Sequence, residues 1–263
     1  MDCPRRGDEN QQVRWLVLPL PGFGRVGFLQ RPVRIVILAK APRPGKVKTR
    51  LAPALGQDEA ARLAERLLCR TIATACASGL GVVELCASPA PDDLAWRRLS
   101  WPPELVWSEQ PGGDLGGRMA AVAQRVLASG ANLLLLGMDC PELEAHHLQT
   151  AAAQLSGSDA ALIPSLDGGY VLLGLRRFHP ALFQAVPWST DAVCAITRER
   201  LGTLGWSWSE QCPLTDLDEP ADLDRLPQTI RGQLAIDNDP GSPAPSGRPG
   251  PAGQHPGGDS GAG

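Results

Sequence analysis

Apolar positions fall into two recurring patterns along this chain. Short unbroken runs such as "VRIVILA" (33–39) and "NLLLLGMD" (132–139) alternate with segments whose apolar residues recur every three or four positions. An unbroken run reads as a strand covered on both faces, and the wider spacing reads as a helix with one buried stripe. In order, the pattern predicts strand 33–39, helix 58–76, strand 82–88, a short helix 92–99 opened by acids and strand 104–109. Helix 115–129, strand 132–139, helix 142–155, strands 159–165 and 168–175, helix 191–204 and strand 206–211 follow.

Regular alternation of this kind predicts an α/β protein, a three-layer α/β/α sandwich around a mostly parallel sheet. The strand at 168–175 follows its predecessor after only two residues, so an antiparallel addition is expected there. Ligands of such sheets bind beyond the carboxyl ends of the strands. That rule selects the loops after Ala39, Glu109, Asp139 and Ser165.

Composition sets the limits of the folded unit. From Asn238 onward the chain is almost entirely Gly, Pro, Ala and Ser. Such a segment has too little apolar surface to offset its ordering entropy, so residues 237–263 are expected to be a disordered tail. The apolar stretch at 13–30 is broken by Pro and Gly and is too short to span a bilayer, and no small-residue cleavage pattern follows it. Residues 1–31 are therefore expected to be a poorly ordered extension, leaving 32–236 as the domain. The formal charge of −3 gives no reason to expect nucleic acid or an anionic membrane as partner. Seven scattered cysteines without a CxxC pair read as reduced thiols, which points to the cytoplasm.

Charge is concentrated at one place. The loop after the first strand, "KAPRPGKVKTR" (40–50), carries Lys40, Arg43, Lys46, Lys48 and Arg50, and it holds all three lysines of the chain. A cationic loop between a strand and a helix is where phosphates are commonly cradled. It is not a P-loop: Val47 follows Gly45-Lys46, and Lys40 stands where the first glycine belongs. Pro42 and Pro44 pre-order the loop, which a merely solvated basic surface would not require. A polyphosphate ligand is the better reading.

The acidic candidates are less decided by their residues alone. Asp139, in "GMDCPEL", is equally a Mg²⁺ ligand or a helix cap. Asp216 and Asp218 precede a short helix, and one of them can cap while the other completes a metal site. Asp167, in "LDGGY", is first of all a turn residue. Glycines around Asp114 in "PGGDLGGRM" allow close approach of a flat ligand or simply a flexible loop. Trp188, in "VPWST", is placed to stack on a base or sugar. The four histidines show no ligand-like spacing, and no nucleophile elbow is present.

Taken in order, "AKAPRPGKVKTRL", "GDLGGRM", "GMDCPEL", "DGGYVLLGL", "PWST" and "DLDEPADL" resemble one family. It is that of the bacterial GT-A-fold, glycosyltransferase-like proteins called rSAM/selenodomain-associated transferase 1, which are similar to 2-phospho-lactate guanylyltransferases. The resemblance covers about residues 33 to 226. It implies a nucleotide-diphospho-sugar transferase fold, a nucleoside triphosphate or nucleotide-sugar ligand, and Mg²⁺ or Mn²⁺. By the resemblance, the loop 40–50 faces the phosphates and supplies the catalytic cations Lys40, Arg43, Lys46, Lys48 and Arg50. Nucleotide contacts would come from Ala39, Lys40, Gly45, Gln110, Gly113, Asp114, Leu115 and Arg118. Asp139, with Asp218 and Asp216, would bind the metal. Asp167, Gly168, Gly169, Trp188, Ser189 and Thr190 would face a small-molecule acceptor. One departure favours nucleotidyl transfer, from an NTP to a small phosphorylated acceptor, over glycosyl transfer. An Asp-x-Asp metal motif would need an acid at 137 or 141, where this chain has Gly137 and Pro141. A nucleotide-binding protein without turnover is the third reading.

Overall fold

The computed structural model describes residues 31–234. The expected tail lies outside the described residues, as does the expected extension up to residue 30. Arg31 is described and is tied down, donating to the carbonyls of Gly130 (2.9 Å) and Arg176 (2.7 Å).

The first strand, β1 (Val33–Lys40), leads through the basic loop into α1 (Ala52–Leu55) and α2 (Gln57–Ala77). Next come β2 (Gly81–Ser88), β3 (Val106–Glu109), α3 (Leu115–Ala128), β4 (Asn132–Leu136) and α4 (Ala145–Gln154). The hairpin strands β5 (Ala160–Pro164) and β6 (Tyr170–Leu175) precede α5 (Val193–Thr203), β7 (Trp208–Glu210), α6 (Pro220–Arg225) and α7 (Gln228–Gln233).

The strands form one seven-stranded sheet in the order β3-β2-β1-β4-β6-β5-β7. All neighbours are parallel except those of β6, which runs antiparallel to both β4 and β5. The antiparallel strand is thus inserted inside the sheet, between the two strands that a hairpin reading would have left adjacent. Gly174 makes that position tenable, because a Cβ there would come within 3.2 Å of both Ala161 and Leu134.

Period-two alternation sorts the strand side chains between two cores. Ile35, Ile37, Leu134 and Leu136 pack on the α2 and α4 side, while Val36, Leu133 and Leu135 pack on the α3 and α5 side. A third cluster, with Leu51, Leu63, Leu67, Leu217 and Leu223, fixes the segment before α6 against α2. That packing matters for the site, since it brings a late part of the chain beside the basic loop.

Some boundaries differ from the sequence reading. β4 stops at Leu136, three residues before Asp139, so Asp139 stands on the loop beyond the strand and not at its end. The helix expected at 92–99 is a single 3-10 turn, Leu94–Trp96, capped by Asp93. Among the described residues five cysteines are free thiols, whereas Cys212 is disulfide-bonded, against the expectation that all are reduced.

Candidate active site

Beyond the carboxyl ends of β1 and β4 lies a cleft of about 520 Å³. Four of the loops selected by the strand-end rule converge on it: the basic loop, the segment after β3, the loop after β4 and the β5–β6 turn.

The basic loop is rigid in construction. Pro44 and Gly45 occupy the centre of a turn closed by the Lys46 N–H donating to the Arg43 carbonyl at 3.0 Å, with Gly45 at φ +71°. A type II turn requires that conformation, so Gly45 serves the backbone and lines no part of the cleft. The five cations of the loop diverge. Lys40 and Lys46 are exposed on the cleft wall, and among the described residues neither has an ion-pair partner. Arg43 pairs with Asp93 beside a separate hollow formed with Pro89 and Leu94. Arg50 makes an exposed pair with Glu219 at 3.4 Å. Neither arginine lines the cleft, and each is paired with an acid outside its lining.

Lys48 is buried, its side chain 4% exposed, and its ammonium has three close oxygen partners. These are the Leu217 carbonyl at 2.6 Å, Asp218 Oδ1 at 2.9 Å and Asp139 Oδ1. Burial works against its charge, but the two carboxylates prevail and hold the ammonium above its ordinary value. Its backbone sits at φ +47°, a left-handed conformation that is uncommon for a side-chain-bearing residue.

Both carboxylates are delivered by loops and not by helix caps. The N-cap of α4 is Glu144 and that of α6 is Glu219, so neither Asp139 nor Asp218 has the capping duty that its sequence position allowed. The Leu217 N–H donates to the Asp139 carbonyl at 2.9 Å, tying the two segments together. Glu142 accepts from the Thr215 N–H at 2.8 Å, and Asp222 accepts from the N–H groups of Asp218 and Glu219. Sequence reading missed both acids; only the Glu219–Asp222 capping spacing gave a local signal. Asp216 faces the same cleft. Burial first, and then the charges of Asp139, Asp167 and Asp218, push its carboxyl up to about 8, with Lys48 opposing. Cys140, next to Asp139, is kept protonated because burial raises its thiol far above the ordinary value.

On the opposite wall, the Gln110 side-chain amide donates to the carbonyls of Ala39 and Cys86, both at 2.9 Å, across the ends of β1 and β2. Its oxygen accepts from Arg118 at 2.9 Å, which aims that guanidinium at the cleft beside Leu115. Asp114 is the N-cap of α3, accepting from the Gly117 N–H at 2.8 Å, and with Gly113 it lies off the cleft. Asp167 accepts from the Gly169 N–H at 3.0 Å and from Ser165, shaping the β5–β6 turn while still facing the cleft. Gly168 lies behind that turn, at φ +92° against the Asp191 backbone. Trp188, Ser189 and Thr190 complete the rim. Trp188 packs its indole edge on Gly116 at the start of α3, so it is part of the wall. Ser165 and Tyr170 also line the cleft and were not anticipated from the sequence.

Among the described residues no three His, Cys, Asp or Glu side chains form a metal cage. Two carboxylates do converge on one cationic nitrogen. Mg²⁺ is suited by few protein ligands and otherwise takes water and phosphate oxygens, so Asp139 and Asp218 fit it. Among the described residues no helix is long and apolar enough to cross a membrane.

Comparison with known proteins gives two kinds of match. The family model for an uncharacterized protein conserved in bacteria (DUF2064) matches residues 71–190, from α2 to the Trp188 rim. No curated protein matches the sequence. Among solved structures, a candidate nucleotide-diphospho-sugar transferase from Desulfovibrio desulfuricans G20 is 30% identical, with a TM-score of 0.71. The match covers 77% of this chain and 92% of that one. A cytidylyltransferase from Leptospira borgpetersenii serovar Hardjo-bovis (strain JB197) is 12% identical, with a TM-score of 0.50 over 78% of this chain and 93% of that one. The second match speaks to the fold alone.

Proposed function

We propose a reaction for this chain, which belongs to the DUF2064 family and shares the GT-A-like fold of nucleotide-diphospho-sugar transferases: metal-dependent nucleotidyl transfer. An oxygen of a small phosphorylated acceptor attacks the α-phosphorus of a nucleoside triphosphate, and the bond to the pyrophosphate oxygen breaks. The observation that carries this reading is the pairing of Asp139 and Asp218 around one cation position, beside two lysines that have no ion-pair partner among the described residues. Each carboxylate comes from a different segment, and Gly137 and Pro141 leave no Asp-x-Asp motif around Asp139.

Phosphoryl-group chemistry of this type asks for positioning and charge neutralisation more than for a nucleophilic side chain. Lys40 and Lys46 are free to contact the triphosphate oxygens, and Arg118, held by Gln110, borders the nucleoside end. Asp139 and Asp218 would hold a divalent cation, Mg²⁺ or Mn²⁺, whose charge would stabilise the developing negative charge at the α-phosphate. The Asp167 turn and the rim from Trp188 to Thr190 enclose the acceptor. The working unit is residues 32–236.

The likeness to a nucleotide-diphospho-sugar transferase favours a second reading, glycosyl transfer from a nucleotide sugar in the same cleft. One assay separates them. The protein is incubated with Mg²⁺, each of the four ribonucleoside triphosphates and a panel of phosphorylated small molecules, and pyrophosphate release is measured. Acceptor-dependent pyrophosphate supports nucleotidyl transfer. Turnover of nucleotide sugars without any pyrophosphate from triphosphates sinks it, and binding without product leaves a non-catalytic nucleotide-binding protein.

A further inference from the structure

Lys48 presents a contradiction for a residue expected to grip phosphate. An ammonium has three donors, and here it hydrogen-bonds Asp218 and the Leu217 carbonyl and ion-pairs with Asp139. Little donor capacity is left for a nucleotide. Its side chain is withdrawn from water, while the two carboxylates that hold it are 38% and 42% exposed and open to the cleft.

We infer that Lys48 is the protein's own stand-in for the divalent cation: it holds the metal position in the ligand-free state and must be displaced before metal can bind. The inference rests on the metal-dependent reading of the site for its setting. Two cations cannot share a place between the same pair of carboxylates, since at such separations their repulsion would be large and poorly screened. Metal alone therefore binds weakly, because it has to leave the ammonium buried without its partners. A triphosphate changes this by offering oxygens to the released ammonium, so that metal and nucleotide bind together. By linkage, each raises the affinity of the other by the same factor.

The backbone around Lys48 supports displacement of the side chain alone. The N–H groups of Leu51 and Ala52 donate to the Lys48 carbonyl at 2.9 and 3.2 Å, and Val47 is buried next to it. With the left-handed φ of +47°, the chain is locked at this point in a sparsely populated conformation, which is a common mark of functional positions. The loop stays in place while one flexible stem changes rotamer.

The test measures Mn²⁺ binding to the full-length protein without nucleotide, by the loss of the free-ion paramagnetic resonance signal. Lys48→Met keeps an unbranched apolar stem and removes the charge. It is expected to bind Mn²⁺ about tenfold more tightly than the parent, or better. Lys46→Met removes a cleft charge that pairs with no acid, and it should change Mn²⁺ affinity by less than about threefold. Unchanged or weaker affinity in Lys48→Met overturns the inference, as does an equal gain in Lys46→Met, which would show a general charge effect. Should Lys48→Met fail to fold, the parent protein answers directly. It has three lysines, so ¹⁵N-lysine labelling gives three side-chain signals. The protected Lys48 signal should shift as Mg²⁺ saturates the site, and a signal unmoved at saturation overturns the inference. Pyrophosphate release is scored separately. Tighter Mn²⁺ binding in Lys48→Met without any pyrophosphate from the parent would sink the nucleotidyl reading and leave this one standing.

Discussion

Lys48 Nζ lies 2.9 Å from Asp218 Oδ1, although 170 residues separate the two in the chain. The contact joins the basic loop after the first strand to the segment before α6, and Asp139 closes it from the third side. One buried cation therefore organises two carboxylates that the sequence left with alternative duties. Its environment separates Lys48 from Lys46, and the two lysines should respond differently to the same substitution.

Lys46→Ala should weaken binding of a nucleoside triphosphate about tenfold or more, and that of the matching monophosphate less, since a charge-assisted contact is worth roughly 1.5–3 kcal/mol. Its melting temperature should not move, because Lys46 is exposed and pairs with no acid. Lys48→Ala should lower the melting temperature as well, leaving two carboxylates without their counter-ion at a cost of about 1–3 kcal/mol. Calorimetry of both variants with tri- and monophosphates decides this. Equal melting temperatures for the two would remove the structural role given to Lys48.

Asp139→Asn retains size and hydrogen bonding while removing a charge. As Glu144 caps α4, the substitution has no cap to preserve. Turnover dependent on Mg²⁺ should fall at least about tenfold with the fold intact by circular dichroism. Activity at the parent's level would end the metal assignment.

Asp216 yields a pH prediction for the metal-free protein. Its folded-state value is raised from the ordinary 3.8 to about 8, so between these limits the folded state binds more protons than the unfolded one. Stability contributed by this group accordingly falls as pH rises from about 4 to about 8, and then levels off. Asp216→Asn should melt higher than the parent at pH 8 and close to it near pH 4. A parallel pH dependence in the two proteins would contradict the burial and crowding described for this carboxyl.

Gln110→Ala removes the group that bridges the ends of β1 and β2 and orients Arg118. The apparent KM for the nucleotide should rise about tenfold, with a smaller change in kcat, because Arg118 loses its direction and keeps its charge. A kcat effect larger than the KM effect would place Arg118 at the reacting phosphate instead of the nucleoside end.

Gly116→Ala tests how the two walls of the cleft meet. A Cβ there would stand 2.4 Å from Trp188 Nε1 and 2.5 Å from the Phe183 carbonyl, so the rim must retreat from α3. Overpacking of this sort costs about 1–3 kcal/mol. The melting temperature should drop, and Trp188 fluorescence should change. A variant as stable as the parent would mean the rim is loosely held.

Much of this architecture follows from local pattern. Unbroken apolar runs such as "NLLLL" specify buried strands, because hydrophobic period is a property of neighbouring residues, and the strand-end rule then points to the right four loops. The same reasoning located the lysines and Asp139 at the cleft. It did not reach what depends on residues far apart in sequence. Arg43 and Arg50 belong to the same charged loop as Lys46, yet Asp93 and Glu219 draw them elsewhere. Asp114 looks like Asp139 in sequence, but only Asp114 caps a helix, because α3 starts immediately after it whereas α4 starts at Ala145. Insertion of β6 between β4 and β5 is likewise invisible to the pattern, since a hairpin reads the same whether or not its second strand finds another partner. Above all, burial of Lys48 between Asp139 and Asp218 is a tertiary event. Local sequence places a charge on a loop, and only the folded packing of α2 against the segment after β7 decides whether that charge meets water, phosphate or a carboxylate.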